Sequence, residues 1–175
     1  YRIMYTMEDS THDHKIHIRE IDYLNEDDIQ LSSHLLLQYM QKWSLIRDTN
    51  INNTHHYPGQ ILYYDISRIT HIIDSARYAK HRIFIAYVDN EPAGIAGITH
   101  SGENVHLFVK PKYYGYGIGR ALIEKRVEEG SWFATVHKEN TRIKDLLQSC
   151  GFVKTHSYRN IETYVISSMI EKITR

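Results

Sequence analysis

Apolar and polar residues follow two regular spacings in the first third of the chain. Residues 15–21 alternate between apolar and polar side chains, which is typical of a half-buried strand. Asn25 is a residue type that caps helices, and the acidic residues after it favour the positive end of a helix. The apolar spacing that follows predicts a helix to about residue 46. Residues 1–14 are polar and irregular, so we expect a flexible arm there.

A second helix is predicted after a loop rich in asparagine. Residues 48–60 contain the pair Pro58-Gly59, which favours a turn over a regular element. Asp65 is placed to cap the helix that follows, where apolar residues recur at helical spacing.

The middle of the chain predicts a set of antiparallel strands. Residues 82–88, 93–99 and 104–109 have the composition of strands, and residues 89–92 and 101–102 have the composition of turns. Connections as short as these force successive strands to run antiparallel.

The last third predicts two further helices among three strands. We expect a helix over about 118–129, a strand over 132–137, a helix from Asn140 to Gly151, and strands near 152–157 and 161–167 before a helical tail. The element order is then β-α-α-β-β-β-α-β-α-β-β. It predicts an α/β fold, or an α+β fold with a mixed sheet, in a single domain over residues 15–175.

Composition and charge bear on several classes of function. The chain has 175 residues, with 21 Lys and Arg against 21 Asp and Glu, so its formal net charge is zero. This balance gives no support for binding to nucleic acid or to an anionic membrane. No apolar run approaches the roughly 18 residues of a membrane span, and we expect a cytoplasmic protein. The 12 histidines show no HExxH spacing, and Cys150 is the single cysteine, so no metal site is expected.

Residues 109–122 carry the strongest chemical signal. Gly115, Gly117 and Gly119 alternate between a strand and an apolar-periodic helix. Glycine leaves no Cβ between the backbone N–H groups and a ligand, and the N-terminus of a helix favours an anion. A diphosphate fits such a loop. A Walker A loop is excluded because no GK[ST] follows, and a dinucleotide-binding fingerprint fits less well because antiparallel strands precede the loop.

Two motifs resemble one known family. Residues 109–122, V-K-P-K-Y-Y-G-Y-G-I-G-R-A-L, resemble the V-x-P-x-Y-R/Q-G-x-G-I-G-x-x-L motif of the GNAT N-acetyltransferases. Residues 140–152, N-T-R-I-K-D-L-L-Q-S-C-G-F, are similar to the family's N-x-x-A-x-x-x-Y-x-x-x-G-F. The predicted order of elements also agrees with the GNAT fold.

The resemblance implies a site for acetyl-CoA as cosubstrate, without a metal. The strand before the loop is expected to separate from its parallel neighbour and hold the pantetheine arm, and the loop to hold the diphosphate. The implied cofactor-binding residues are Leu107, Phe108, Val109, Tyr114, Gly115, Tyr116, Gly117, Ile118, Gly119, Arg120 and Asn140. Asn140 is also a helix N-cap by residue type. Lys112 and Arg120 are candidates to add charge near the phosphates, and the alternative, which we prefer for both, is a solvated side chain.

Two positions depart from the family pattern. Tyr114 stands where Arg or Gln is usual, which puts a side-chain contact to phosphate in doubt. Leu147 stands where the family has the tyrosine that acts as general acid, and leucine cannot donate a proton.

Other residues must therefore be considered for catalysis. Tyr164 and Cys150 are candidate substitutes for the acid, although Cys150 lies on an apolar helix face that favours a buried thiol. His106 is the preferred candidate for the general base because of its ordinary pKa, and Glu103 is the second candidate.

The implied reaction is direct attack of a primary amine on acetyl-CoA, with the acceptor a small molecule or a protein. We expect the acceptor pocket to involve the first two helices, the last two strands and the 47–64 loop, which contains His55, His56, Tyr57, Tyr63 and Tyr64. An alternative is a domain that binds acyl-CoA as a sensor or scaffold without turnover. A third is transfer of another acyl group. Homodimerisation is compatible with the resemblance, although the sequence identifies no interface.

Overall fold

A mixed seven-stranded sheet forms the centre of the protein. The computed structural model describes the backbone of residues 4–7, 9–11, 14–49 and 66–174, and the side chains of 14–40 and 71–172. The sheet has the strand order β3-β4-β5-β6-β7-β9-β8. Its strands are β3 (Ile16–Glu20), β4 (Arg82–Val88), β5 (Glu91–Ile98), β6 (Glu103–Val109), β7 (Phe133–His137), β8 (Phe152–Tyr158) and β9 (Ile161–Ile166). The predicted order of elements and the antiparallel β4-β5-β6 arrangement are confirmed.

Helices cover both faces of the sheet. They are α1 (Glu26–Thr49), α2 (Ile66–Tyr78), α3 (Ile118–Glu128), α4 (Thr141–Ser149) and the C-terminal α5 (Ser167–Thr174). Asn25 caps α1 as predicted, because its Oδ1 accepts a hydrogen bond from the N–H of Asp28 at 3.0 Å. The predicted cap Asp65 lies outside the described residues.

Strand β4 shows why both faces must be covered. Ile83 and Ile85 pack with α1 and α2, whereas Phe84, Ala86 and Val88 pack with α3 on the other face. Successive side chains of a strand point to opposite faces, so the uninterrupted apolar run of β4 requires helices on both sides.

The structure adds a short element at the N-terminus. Strands β1 (Met4–Met7) and β2 (Asp9–Thr11) pair antiparallel in a two-stranded sheet of their own. The sequence analysis did not predict these strands, because elements of four and three residues are too short to show a regular alternation of apolar and polar side chains. The domain boundary near residue 14 stays a prediction.

The turn between β4 and β5 is tighter than predicted. Asp89 and Asn90 both have positive φ, at 49° and 72°, which is the backbone of a two-residue hairpin turn. Strand β5 therefore begins at Glu91 and includes Pro92, which lies at an irregularity in the register with β4. A bulge is one of the places in a sheet that tolerate proline.

Strands β6 and β7 run parallel but remain paired over only two residues. Glu103 pairs with Phe133 and Asn104 with Ala134, and the strands diverge beyond that point. The Nδ2 of Asn104 donates to the carbonyl oxygen of Phe133 at 3.3 Å and so holds the paired end together. The result is a cleft between two strands of one sheet.

A bulge in β6 lies at the same place. Val105 is opposite Gly97 and Phe108 is opposite Ile95, so His106 and Leu107 together face a single residue of β5. His106 has a φ of 57°, which is uncommon for a residue with a side chain. Arg126 of α3 is 1% exposed, and its Nη1 donates to the carbonyl oxygens of Gly97 and Val105, both at 3.0 Å. The buried guanidinium thus binds two carbonyls beside the bulge.

Candidate functional site

The loop between β6 and α3 points unused backbone donors towards the cleft. Gly115 and Gly117 have φ values of 88° and 83°, and Gly117 is the N-cap of α3. The first hydrogen bond of the helix joins the N–H of Ala121 to the oxygen of Gly117. The N–H groups of residues 118–120 therefore have no partner within the helix. Together with the positive end of the helix dipole, they favour an anion.

Glycine is favoured at the three positions of the loop for different physical reasons. A Cβ on Gly115 or Gly117 would meet no atom within 4 Å, so these two residues are required by their positive φ. A Cβ on Gly119 would lie 2.8 Å from Cδ2 of Leu146. Gly119 therefore allows Leu146 of α4 to pack closely against α3, and a larger residue there would require that leucine to move.

Two of the predicted backbone donors already have partners. The N–H of Tyr114 donates to the oxygen of Pro111 at 3.1 Å, and that of Tyr116 donates to Tyr113 at 3.3 Å. The ring of Tyr116 packs on Tyr113 and His14, with centroids 5.5 and 4.6 Å away. The donors available to a ligand are thus fewer than the predicted run from Tyr114 to Arg120.

A groove of about 510 Å³ follows the cleft and the loop, and we call it the main groove. Ten of the eleven residues predicted to bind the cofactor line it, and Tyr116 does not. The seven lining residues that were not predicted are Tyr39, Tyr113, Arg142, Ile143, Asp145, Leu146 and Ser149. Most of these lie on α4, and the signal that could have indicated them was the position of Asn140 at the start of that helix.

Asn140 is the helix N-cap that the sequence indicated, and it lies beside the groove. Its Oδ1 accepts a hydrogen bond from the N–H of Ile143 at 3.4 Å, which makes it the N-cap of α4. It also lines the main groove. The cap fixes the start of α4 beside the cleft.

Positive side chains reach the main groove from two helices. The guanidinium carbon of Arg142 lies 3.8 Å from the centroid of the Tyr114 ring. Arg120 donates from Nη2 to the Oγ of Ser149 at 2.8 Å. Lys112 instead lies on an exposed surface outside the main groove, where it pairs with Glu91 at 3.1 Å.

A smaller cavity of about 220 Å³ lies deeper in the cleft, and we call it the inner cavity. Its polar lining comes from Tyr39, Glu103, Asn104, His106, Arg126, Thr135 and Asn140. Four residues line both the groove and the cavity: Tyr39, Leu107, Asn140 and Ile143. The two spaces therefore adjoin at the point where β6 and β7 separate.

The family model described as an acetyltransferase (GNAT) domain matches residues 79–154. The matched segment contains the divided strands, the glycine loop, α3 and α4. This part of the chain is similar to the GNAT acetyltransferases. The family resemblance of residues 109–122 and 140–152 is thereby confirmed. No curated protein shows significant sequence similarity to the chain.

Solved structures of acetyltransferases share the fold of this chain. The PaiA N-acetyltransferase of Thermoplasma acidophilum in complex with coenzyme A has a TM-score of 0.60 at 16% identity, covering 86% of this chain and 97% of that one. The N-acetyltransferase PseH of Campylobacter jejuni with acetyl coenzyme A has a TM-score of 0.55 at 16% identity, over 86% and 96%. YncA of Salmonella typhimurium with its cofactor acetyl-CoA has a TM-score of 0.57 at 16% identity, over 85% and 90%. The GNAT fold therefore extends over most of the chain.

Two further findings concern only the residues that the structure describes. None of the helices in the described ranges is both long and apolar enough to span a membrane. In the same ranges, no three His, Cys, Asp or Glu side chains come together as metal ligands. The predicted acceptor residues of the 47–64 loop, His55, His56, Tyr57, Tyr63 and Tyr64, lie outside the described side chains.

His106 is placed in the inner cavity, but its chemistry differs from the prediction. Burial, with the nearby charges of His81 and Arg126, lowers the pKa of His106 from 6.5 to about 4. The imidazole is therefore neutral at pH 7 and able to accept a proton. It is a weaker base than the ordinary pKa implied, because general bases act best when their pKa is near the working pH.

The lowered pKa of His106 predicts a loss of stability in acid. Between pH 6.5 and about 4 the unfolded chain protonates this imidazole and the folded protein does not, so stability falls as pH falls through this window. The effect amounts to about 3 kcal/mol. His106→Asn keeps a residue that tolerates positive φ and removes the titration. Urea unfolding at pH 7 and pH 4.5 should show a smaller difference for His106→Asn, and equal differences would contradict this effect.

The other catalytic candidates occupy different surroundings. Glu103 lines the inner cavity, and its Oε2 accepts a hydrogen bond from the Oγ1 of Thr135 at 2.7 Å. Tyr164 is 2% exposed and donates to Glu162 at 2.9 Å, while its ring packs in a cluster with Ile123 and Leu147. Tyr164 thus faces the packed core and not the cleft.

The side chain of Cys150 also packs against apolar residues and does not line the cleft. It contacts the same cluster at the end of α4, and burial raises the pKa of its thiol. The thiol is thus half-buried, where the apolar face of the helix indicated a buried one.

Proposed function

We propose that the protein is an N-acetyltransferase that transfers the acetyl group of acetyl-CoA directly to a primary amine. The observation that supports it most strongly is the main groove, in which a divided parallel strand pair, a glycine loop and a helix N-terminus adjoin. A groove of about 510 Å³ is within the usual size of a cofactor site. Acetyl-CoA would supply the activated acetyl group.

The residues of the main groove fit two parts of this cosubstrate. The N–H groups at the start of α3 would bind the diphosphate, because they are unused donors at the positive end of a helix. The edge of β6 that faces the cleft over residues 105–109 has no paired strand, so its backbone groups can bind the amide groups of the pantetheine arm.

Arg142 would replace the charge that the motif lacks at Tyr114. The guanidinium stacks on the Tyr114 ring, which holds it at the wall of the groove. From there it can bind a phosphate group of the cosubstrate. We therefore propose that the aromatic residue at position 114 supports a cation that α4 provides.

Arg142→Ala should lower the affinity for CoA about 10-fold, because one charge-assisted hydrogen bond is lost. The loss should shrink at high salt, which screens the interaction. Isothermal titration calorimetry at two salt concentrations measures both effects.

Arg159→Ala is the matched control for Arg142→Ala. Arg159 lies over the Tyr158 ring at 5.3 Å, so it makes the same kind of contact on the β8–β9 hairpin, outside the main groove. Equal affinities for the two variants would remove Arg142 from the site.

The inner cavity would receive the amine. Its position beyond the meeting point of the two spaces allows the nitrogen to approach the thioester carbonyl from the side opposite the main groove. Glu103 would attract the ammonium, and Glu103 or the neutral His106 would accept its proton before attack. Much of the rate would come from holding the amine and the thioester in contact.

The experiment that tests this function has two measurements. Calorimetry with acetyl-CoA tests binding, and release of the CoA thiol is then followed with primary amines that include small molecules and lysine peptides. Binding with amine-dependent thiol release is the expected result. Absence of acetyl-CoA binding would contradict the proposal, and binding without turnover by any amine would favour an acyl-CoA-binding module.

A further inference from the structure

The usual proton donor of a GNAT site is absent from this cleft. Leu147 is 1% exposed and packs against Ile123 and Tyr164. Leucine has no proton to donate, and Tyr164 faces the packed core. The thiolate that leaves during acetyl transfer therefore needs a donor from elsewhere in the fold.

Tyr39 of α1 lies at the point where such a donor is needed. It is one of the four residues that line both the main groove and the inner cavity. The other three are Leu107, Asn140 and Ile143, and none of these side chains is an acid. Among the described residues that line both spaces, Tyr39 is thus the one whose side chain has an ionisable proton.

The ring of Tyr39 is held in place while its hydroxyl stays available. Its centroid lies 6.1 Å from that of His106 and 6.4 Å from that of Phe108, both in edge-to-face geometry. The hydroxyl makes no hydrogen bond with a described residue, although the side chain is half-buried. By comparison, the hydroxyl of Tyr23, the other tyrosine near α1, donates to the carbonyl oxygen of His81 at 2.7 Å.

The protonation state of Tyr39 suits a donor. Burial raises the pKa of the phenol above its ordinary value, and the opposing effect of Arg126 is smaller. The phenol therefore carries its proton at neutral pH. Arg126 also lines the inner cavity, so its positive charge lies near the phenolate that forms when the proton leaves.

We propose that Tyr39 is a catalytic residue whose hydroxyl protonates the sulfur of CoA as the thioester bond breaks, an inference that rests on the proposed acetyltransferase function. The amine nitrogen forms a bond to the carbonyl carbon, and the carbon–sulfur bond breaks with its electron pair on sulfur. The Tyr39 proton moves to that sulfur and gives the free thiol. The nitrogen then loses its extra proton, which returns to Tyr39 through water in the cavity.

Tyr39→Phe tests this role because it removes the hydroxyl and keeps the ring contacts. With the best amine acceptor, kcat should fall about 100-fold while KM for acetyl-CoA is unchanged. Tyr23→Phe removes a phenol hydroxyl outside the cleft, and its kcat should equal that of the wild type. Equal melting temperatures of wild type and Tyr39→Phe confirm that the fold is kept.

A second measurement needs only CoA and no acceptor. The thiol of bound CoA is titrated by the ultraviolet absorbance of its thiolate, with desulfo-CoA as the blank. A hydrogen bond from Tyr39 stabilises the thiolate, so Tyr39→Phe should raise the pKa of the bound thiol. The other charged groups of the two spaces, which are Glu103, Arg120, Arg126, Arg142, Asp145 and the titratable His106, are the same in both proteins.

The outcomes separate the two proposals. If the wild type does not bind CoA, the acetyltransferase function fails and this role fails with it. If CoA binds and the two titrations coincide, or if kcat of Tyr39→Phe equals that of the wild type, the function stands and Tyr39 is not the donor.

Discussion

Gly115→Trp is expected to weaken the binding of acetyl-CoA at least 100-fold, or by about 2.7 kcal/mol. A side chain at this position begins in open space within the main groove, since an added Cβ would meet no atom within 4 Å. An indole there would occupy the volume that we assign to the diphosphate. Calorimetric titration with acetyl-CoA measures the loss.

Gly130→Trp is the matched control for this substitution. Gly130 has a φ of 108°, close to the 88° of Gly115, and a Cβ on it would also meet no atom within 4 Å. Both variants therefore carry a similar backbone strain of about 1–2 kcal/mol. Gly130 lies at the end of α3 outside the groove, so its variant should bind acetyl-CoA normally. Equal affinities for the two variants would overturn the assigned site.

Gly94→Ala is expected to destabilise the protein by about 3 kcal/mol, at the upper end for one added methyl group in a packed core. The new Cβ would lie 2.7 Å from the carbonyl oxygen of Phe108 and 3.3 and 3.4 Å from Leu122 and Ile118. The nearest atom is backbone on strand β6, so relief requires β6 to move. Since Phe108 lines the main groove, this movement should also weaken the binding of CoA.

Gly97→Ala provides the comparison on the same strand. Its Cβ would first meet Cγ2 of Val105 at 3.2 Å, which is a side-chain atom that can move by rotation. We expect a loss of about 1 kcal/mol. Chemical denaturation of both variants measures the difference, and equal losses would show that β6 adapts more easily than the packing indicates.

The glycine loop and the two capping asparagines were predictable because their signals are local. Positive φ at Gly115 and Gly117 and the caps at Asn25 and Asn140 depend on residues within four positions of each other. Gly119 is part of the same spacing of glycines, but the sequence did not show why a glycine is favoured at this position. The contact with Leu146 joins positions on two helices that only the fold brings together.

The properties of the candidate catalytic residues depend on the fold and could not be predicted from the local sequence. His106 was chosen for its ordinary pKa, and the burial that lowers this pKa comes from packing around a bulge in β6. Tyr39 lies 67 positions before His106 in the chain. The sequence analysis placed it within the first predicted helix and gave it no role in catalysis. Nothing in the spacing of α1 indicated that its tyrosine meets the cleft.

The sequence alone determined the order and type of the elements from β3 to β9, the position of the glycine loop and the family that its motif resembles. These depend on hydrophobic period, turn residues and short motifs, which act between near neighbours. The tertiary structure decided that β9 lies between β7 and β8, that β6 and β7 separate after two paired residues, and that Tyr39, Arg126 and Arg142 reach the cleft. Such features arise from contacts between distant segments, whose partners no local pattern of the chain specifies.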